Sequence, residues 1–115
     1  MSSDESSGSW LVLDGRVLAT VEIAGTRAER RRGLLGRTGI DGVLLLRPAR
    51  SVHTFGMRFA IDVAHLDGEG RVLHVTTMKP NRLGVFVRRA NSVIETEAGA
   101  LSRWGVSAGD LLEIR

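Results

Sequence analysis

The sequence predicts a mainly β fold, an antiparallel sandwich or partly closed barrel with one short α-helix in its N-terminal half. Two observations carry that expectation. Short apolar runs recur with turn signals about every 8–12 residues, the spacing of hairpin-connected strands. A single segment, at Thr26, has the polar pattern that starts a helix.

Residues 1–9 place Asp4 and Glu5 among serines, lack apolar anchors, and are expected to form a disordered tail. A single β-rich domain is expected over 10–115. Trp10–Leu13 and Arg16–Ile23 read as strands joined by Asp14-Gly15, two residues that tolerate positive φ. Thr26-Arg27-Ala28-Glu29 is a capping box, in which hydroxyl and carboxylate satisfy each other's backbone amides. A helix is expected from Arg27 to about Leu35, ended by Gly36, with Leu34 and Leu35 turned to the core.

Val43–Leu46 is a compact apolar run, expected as a strand buried on both faces, and Pro48 ends it. Ser51–Phe55 is a short strand candidate and Phe59–Leu66 a stronger one. Asp67-Gly68-Glu69-Gly70 forms a hairpin loop, and Arg71–Thr77 returns from it. Lys79-Pro80-Asn81 opens a loop that continues through Leu83-Gly84. Val85–Arg88 and Ser92–Thr96 are further strand candidates. Gly99–Trp104 suits a helical turn, and Leu111–Ile114 is a last strand after the turn Ser107–Asp110.

A length of 115 residues suits one domain with its own core. The absence of cysteine excludes disulfides, thiolate metal sites and a cysteine nucleophile. No apolar run approaches the ~18 residues of a membrane span. The N-terminus lacks the basic and apolar regions of a signal peptide. A cytoplasmic location with no membrane partner is therefore expected. The net charge is +3, and every basic residue except Lys79 is Arg. Such a balance favours an anionic partner modestly.

Asp62 is the most informative residue. On a strand it shares its face with Ala60, Ala64 and Leu66, and a carboxylate among apolar groups must be paired or must protonate. It is either a structural acceptor of backbone amides or an Arg, or a functional carboxylate. His53 precedes it by nine residues and meets it if the chain bends at Met57-Arg58. Thr54, Met57 and Arg58 would then wall the same pocket. Glu95, beside Val93 and Ile94, is open to two facings, solvent or pocket. In a hairpin that opposes 65 to 72 and 63 to 74, His65 and His74 are diagonal neighbours. Two histidines do not make a metal site, and neither a metal nor a cofactor is expected. Arg27, Arg30, Arg31, Arg32 and Arg37 form the densest positive cluster. Trp10 and Trp104 are the only large flat rings and no strand carries an aromatic pair, so nucleic acid is not the expected partner.

Three segments resemble the family called domain of unknown function 192. They are Thr26–Arg37, with its capped basic turn, Gly33-Leu34-Leu35 and Arg37; Val52–Val63, with Asp62 between apolar residues; and Val93-Ile94-Glu95 to Gly99, followed by Gly105–Asp110. Together they span roughly residues 17–114. His53-Thr54-Phe55-Gly56-Met57 stands where the commonest family version has Trp-Met-Lys-Asn-Thr. The resemblance implies a mainly β, sandwich-like fold and no defined activity. Arg37 matches the family's Arg and is the expected partner of Asp62.

The leading expectation is a non-enzymatic binding or accessory module. Its pocket would comprise His53, Asp62, Arg58, Arg37, Thr54 and Met57, and would take a small anionic ligand or a protein segment. A hydrolase-like enzyme using His53 and Asp62 for proton transfer is the competing class. An Arg-helix adaptor for RNA or an acidic protein is the third.

Overall fold

The computed structural model describes residues 9–115, so the expected tail lies outside the described residues except for Ser9. Asp14 and Gly15, both at positive φ, turn β1 (Trp10–Leu13) directly into β2 (Arg16–Ala24). The capping box at Thr26 forms as expected and starts α1 (Arg27–Arg32). That helix is one turn shorter than the sequence suggests. Gly33 takes positive φ, and its amide bonds the Glu29 carbonyl, ending the helix there. Leu34 is buried, as expected, and Leu35 is half-buried.

β3 (Val43–Leu46) and β4 (Ile61–Leu66) are buried along their whole length. β5 (Val72–Met78) completes a hairpin with β4. β6 (Ser92–Glu97) leads into α2 (Ala100–Arg103), and β7 (Leu112–Ile114) closes the chain. Ser51–Phe55 and Val85–Arg88 do not become strands. Residues 50–53 instead run beside 83–87, through a bridge from His53 to Leu83 and with the Gly84 and Val87 amides bonded to the Val52 and Arg50 carbonyls.

The strands form one sheet in the order β5-β4-β6-β3-β2-β1-β7. All neighbours are antiparallel except β2 and β3. The α1 crossover makes that parallel pair feasible, since a tight hairpin cannot connect parallel strands. The hairpin register also departs from expectation. A bulge after His65 sets His65 opposite His74 and Leu66 opposite Val72.

The sheet curls until its two edges touch at one end, so the barrel is the alternative realised. Val72 N–H donates to Asp110 O at 2.8 Å, and Leu112 N–H to Gly70 O at 2.9 Å. Inside the curl pack Leu45, Leu66, Ile94 and Leu112, with Leu101 and Val106 from α2 and its following turn as a plug. On the outer face Leu44, Ile61, Val63 and Val93 are covered by Leu34, Val52 and Met57. β3, β4 and β6 are thus covered on both sides, which explains the unbroken apolar run of β3 and the burial of the polar residues that β4 and β6 carry.

Gly70 sits at the seam at a φ of 97°, where a Cβ would strike the Leu112 carbonyl. Gly70→Ala is expected to lower stability by about 2 kcal/mol or more, read as a fall in the urea midpoint. Gly68→Ala, which meets open space in the same loop, should leave that midpoint nearly unchanged.

Candidate functional site

Asp62 faces the barrel interior and is almost wholly buried. Its Oδ1 accepts from the Thr77 hydroxyl at 2.6 Å. Its Oδ2 accepts the amides of Gly99 at 3.0 Å and Leu101 at 3.1 Å. The carboxylate therefore ties β4 and β5 to the turn that starts α2. Arg37 is not its partner. The guanidinium makes a two-pronged pair with Glu22 on β2, at 2.7 and 3.1 Å, near the surface.

The other expected site residues divide between two places. Thr54 is completely buried; its hydroxyl donates to Lys79 O at 2.6 Å and accepts from the Arg82 amide at 2.8 Å. It locks the 53–57 turn to the 79–82 loop. Arg58 is exposed. His53 and Met57, in contrast, line one open cavity of about 300 Å³ on the outer face of the sheet. The His53 ring stacks on Phe55 with centroids 5.1 Å apart. His53 and Asp62 thus lie on opposite faces of the sheet, and no dyad forms.

The residue that completes the cavity is Glu95. Register places it beside Leu44 on β3 and Val63 on β4, so its side chain joins the outer apolar face. It is 4% exposed, and its Oε1 has no hydrogen-bond partner among the described residues. A Cβ at Gly33 would lie 3.5 Å from that oxygen, so the end of α1 roofs the carboxyl. Burial raises its pKa from the ordinary carboxylate range to about 7. Arg27, Arg30, Arg31 and Arg32 form the rim, and Leu34, Leu46 and Val52 the apolar wall. Arg30 is tethered to the Gly25 carbonyl at 2.6 Å, while none of the four makes an ion pair among the described residues.

The sequence left Glu95 with two facings because strand alternation alone does not say which layer covers which face. The available signal was its position two residues after Val93 in a strand bounded by apolar neighbours. His65 and His74 lie elsewhere on this face, ring centroids 5.7 Å apart. Burial chiefly, and then His74, lower the His65 pKa. Among the described residues no further acid or histidine joins them.

Removing Asp62 leaves the Gly99 and Leu101 amides and the Thr77 hydroxyl without their acceptor, the Leu101 amide in the buried interior. Asp62→Ala should therefore cost about 3 kcal/mol in chemical denaturation. Arg37→Ala, which breaks a surface pair, should cost no more than about 1 kcal/mol.

Glu95 acts on stability in the opposite sense from a paired carboxylate. Its folded pKa is raised, so the folded state holds the proton more tightly and loses stability as pH rises from about 4.5 to about 7. Glu95→Gln removes that dependence. The variant should match the native protein near pH 4.5 and exceed it above pH 7 by about 3 kcal/mol, read from paired urea curves. Pairing the curves cancels the contribution of His65 and the other acids.

Comparisons with known proteins agree with this architecture. The model of the family DUF192, described as an uncharacterized ACR, matches residues 11–114. A UPF0127 protein of Pyrococcus abyssi is 34% identical over 98 residues, covering 81% of this chain and 84% of its own. A crystal structure from Sinorhizobium meliloti 1021, whose description proposes a transcription regulator, superposes with a TM-score of 0.80 at 25% identity, covering 92% of this chain and 91% of that one. A protein of unknown function from Novosphingobium aromaticivorans has a TM-score of 0.78 at 18% identity over 91% of this chain and 82% of its own, a likeness of fold. Among the described residues no helix is long and apolar enough to cross a membrane. With nearly the whole described chain matched from β1 to β7, this protein belongs to the DUF192 family, whose function is uncharacterized.

Proposed function

We propose that this protein is a small-ligand-binding module whose site is the cavity between α1, β6 and the 51–57 segment. The observation that supports this reading is the buried, unpartnered Oε1 of Glu95 at the floor of an open cavity. A buried polar atom without a partner is costly, by about 1–3 kcal/mol, and a bound group that supplies the missing hydrogen bond recovers that cost.

The lining specifies the ligand's chemistry. Arginine forks at the rim suit a phosphate or carboxylate, which they can grip with two parallel hydrogen bonds. Leu34, Leu46, Val52 and Met57 suit a short apolar body. Glu95, held near neutrality, suits a hydroxyl or amine reaching the floor. The ligand is therefore a small amphiphilic anion with a polar group at its far end. This replaces the pocket expected around His53 and Asp62, keeping His53 and Met57 and substituting Glu95 for Asp62.

A second reading has one specific observation in its favour. A carboxyl with a pKa of about 7 is suited to proton transfer at neutral pH, and His53 lines the same cavity. In an enzyme of this kind Glu95, and not Asp62, is the acid–base group.

Binding is tested with hexyl phosphate and 6-hydroxyhexyl phosphate as probes. Both should raise the melting temperature at millimolar concentration, the hydroxylated probe more so, and both should shift the amide resonances of Gly33, Leu34 and Leu35. Arg31→Ala/Arg32→Ala should abolish the effect. Absence of any shift, or an equal shift in that variant, refutes the assignment.

A further inference from the structure

Away from the Glu95 cavity the structure carries a second surface with its own chemistry. β5 is the last strand of the sheet and, among the described residues, has β4 as its only strand partner. At its start, Val72 bonds across the seam to Gly109 and Asp110. Beyond that point, Thr76, Thr77 and Met78 make no backbone hydrogen bond to any described residue outside β4. This stretch of edge is also unprotected by sequence. Val72–Met78 contains no Lys, Arg, Asp, Glu or Pro, the residues that usually keep an edge strand from pairing.

An open depression of about 420 Å³ runs beside that edge, between Thr76–Lys79 and Arg82–Val85. Its far wall carries Leu83, 76% exposed, and Val85, 49% exposed, with Phe86 at 65% beside them. Isolated exposed apolar residues are ordinary, but three on one loop next to a free sheet edge form a patch. The charge is one-sided. No acidic residue occurs between Glu69 and Glu95, while Lys79 and Arg82 line the depression. Among the described residues the Arg82 guanidinium bonds only the Pro80 and Asn81 carbonyls.

We propose that the β5 edge docks an extended acidic polypeptide segment by strand addition. The backbone of the segment pairs with Thr76–Met78. An apolar side chain of the segment seats on Leu83 and Val85, and flanking Asp or Glu residues meet Lys79 and Arg82. Each feature narrows the occupant. A free strand edge is satisfied by another strand, not by a bilayer or a nucleic acid. Leu83 and Val85 offer bases nothing to stack on, and Phe86 beside them is a single ring with no aromatic neighbour among the described residues. A second copy of this chain would bring Lys79 and Arg82 against their own like charges.

A phage-displayed dodecapeptide library panned against the intact protein tests this. Enriched peptides should alternate acidic and apolar residues. A synthetic enriched peptide should shift the amide resonances of Thr76, Thr77, Met78, Leu83 and Val85 and should bind more weakly as salt rises. Lys79→Glu/Arg82→Glu should weaken it at least tenfold, and Leu83→Ser, at a solvent-exposed position that cannot unfold the core, should weaken it as well. The proposal is overturned by any of four results: no enrichment, enriched peptides without acids, a footprint confined to the Glu95 cavity, or affinity unchanged in both variants. Dimerisation through β5, or binding of phosphatidylglycerol vesicles or RNA at these residues in place of peptide, overturns it equally.

Discussion

β3 and β4 are buried along both faces, and so is β6 up to its last residue, Glu97; this two-sided burial is the constraint on which the molecule depends. A sheet that is apolar on both sides needs two covering layers. The inner one comes from the curl of the sheet itself and from α2. The outer one comes from α1 and from the long connections at 47–59 and 79–90. Neither helix is long enough to be stable alone, so each is held by what it caps or covers. For α2 that support is Asp62 on β4, whose carboxylate accepts the amides of Gly99 and Leu101 at the start of the helix.

The same constraint makes polar side chains on the central strands informative. Asp62 stands opposite Thr96, and the adjacent Val63 stands opposite Glu95. Two carboxyls are therefore neighbours in the sheet but face opposite layers. The inner one finds three donors and becomes a joint of the fold. The outer one finds apolar side chains and the underside of Gly33, and burial pushes its pKa up to about 7. The outer layer supplies no donor to the Glu95 Oε1 among the described residues, and that contrast with Asp62 is what the proposed ligand-binding reading rests on.

The distribution of charge follows the layers too. The two long connections of the outer layer are drawn from acid-free stretches, 42–61 and 70–94. They hold half of the basic residues, together with the exposed Phe55, Leu83 and Phe86. Outside those stretches, Glu22 on β2 is engaged by Arg37, and Glu29 on α1 by the helix cap. Positive charge is thus least neutralised where the outer layer meets solvent.

Local chemistry made several elements legible in the chain itself. The capping box at Thr26, the Asp14-Gly15 turn and the apolar run Val43–Leu46 each depend on neighbours within a few residues, and each forms as the sequence implies. The buried character of Asp62 was legible for the same reason, from strand alternation. What the chain alone did not decide involves distant partners. Gly33 rather than Gly36 ends α1, because the following Leu34 is drawn into the outer core. His65 meets His74 directly because a bulge adds a residue on β5. Asp62 and Arg37 were natural partners by charge, yet the sheet puts Asp62 inside the curl and Arg37 outside it, next to Glu22. Glu95 became the floor of a cavity only when α1 crossed over β6. Sequence periodicity determines which side chains share a face; only the packing of remote layers decides what that face will touch.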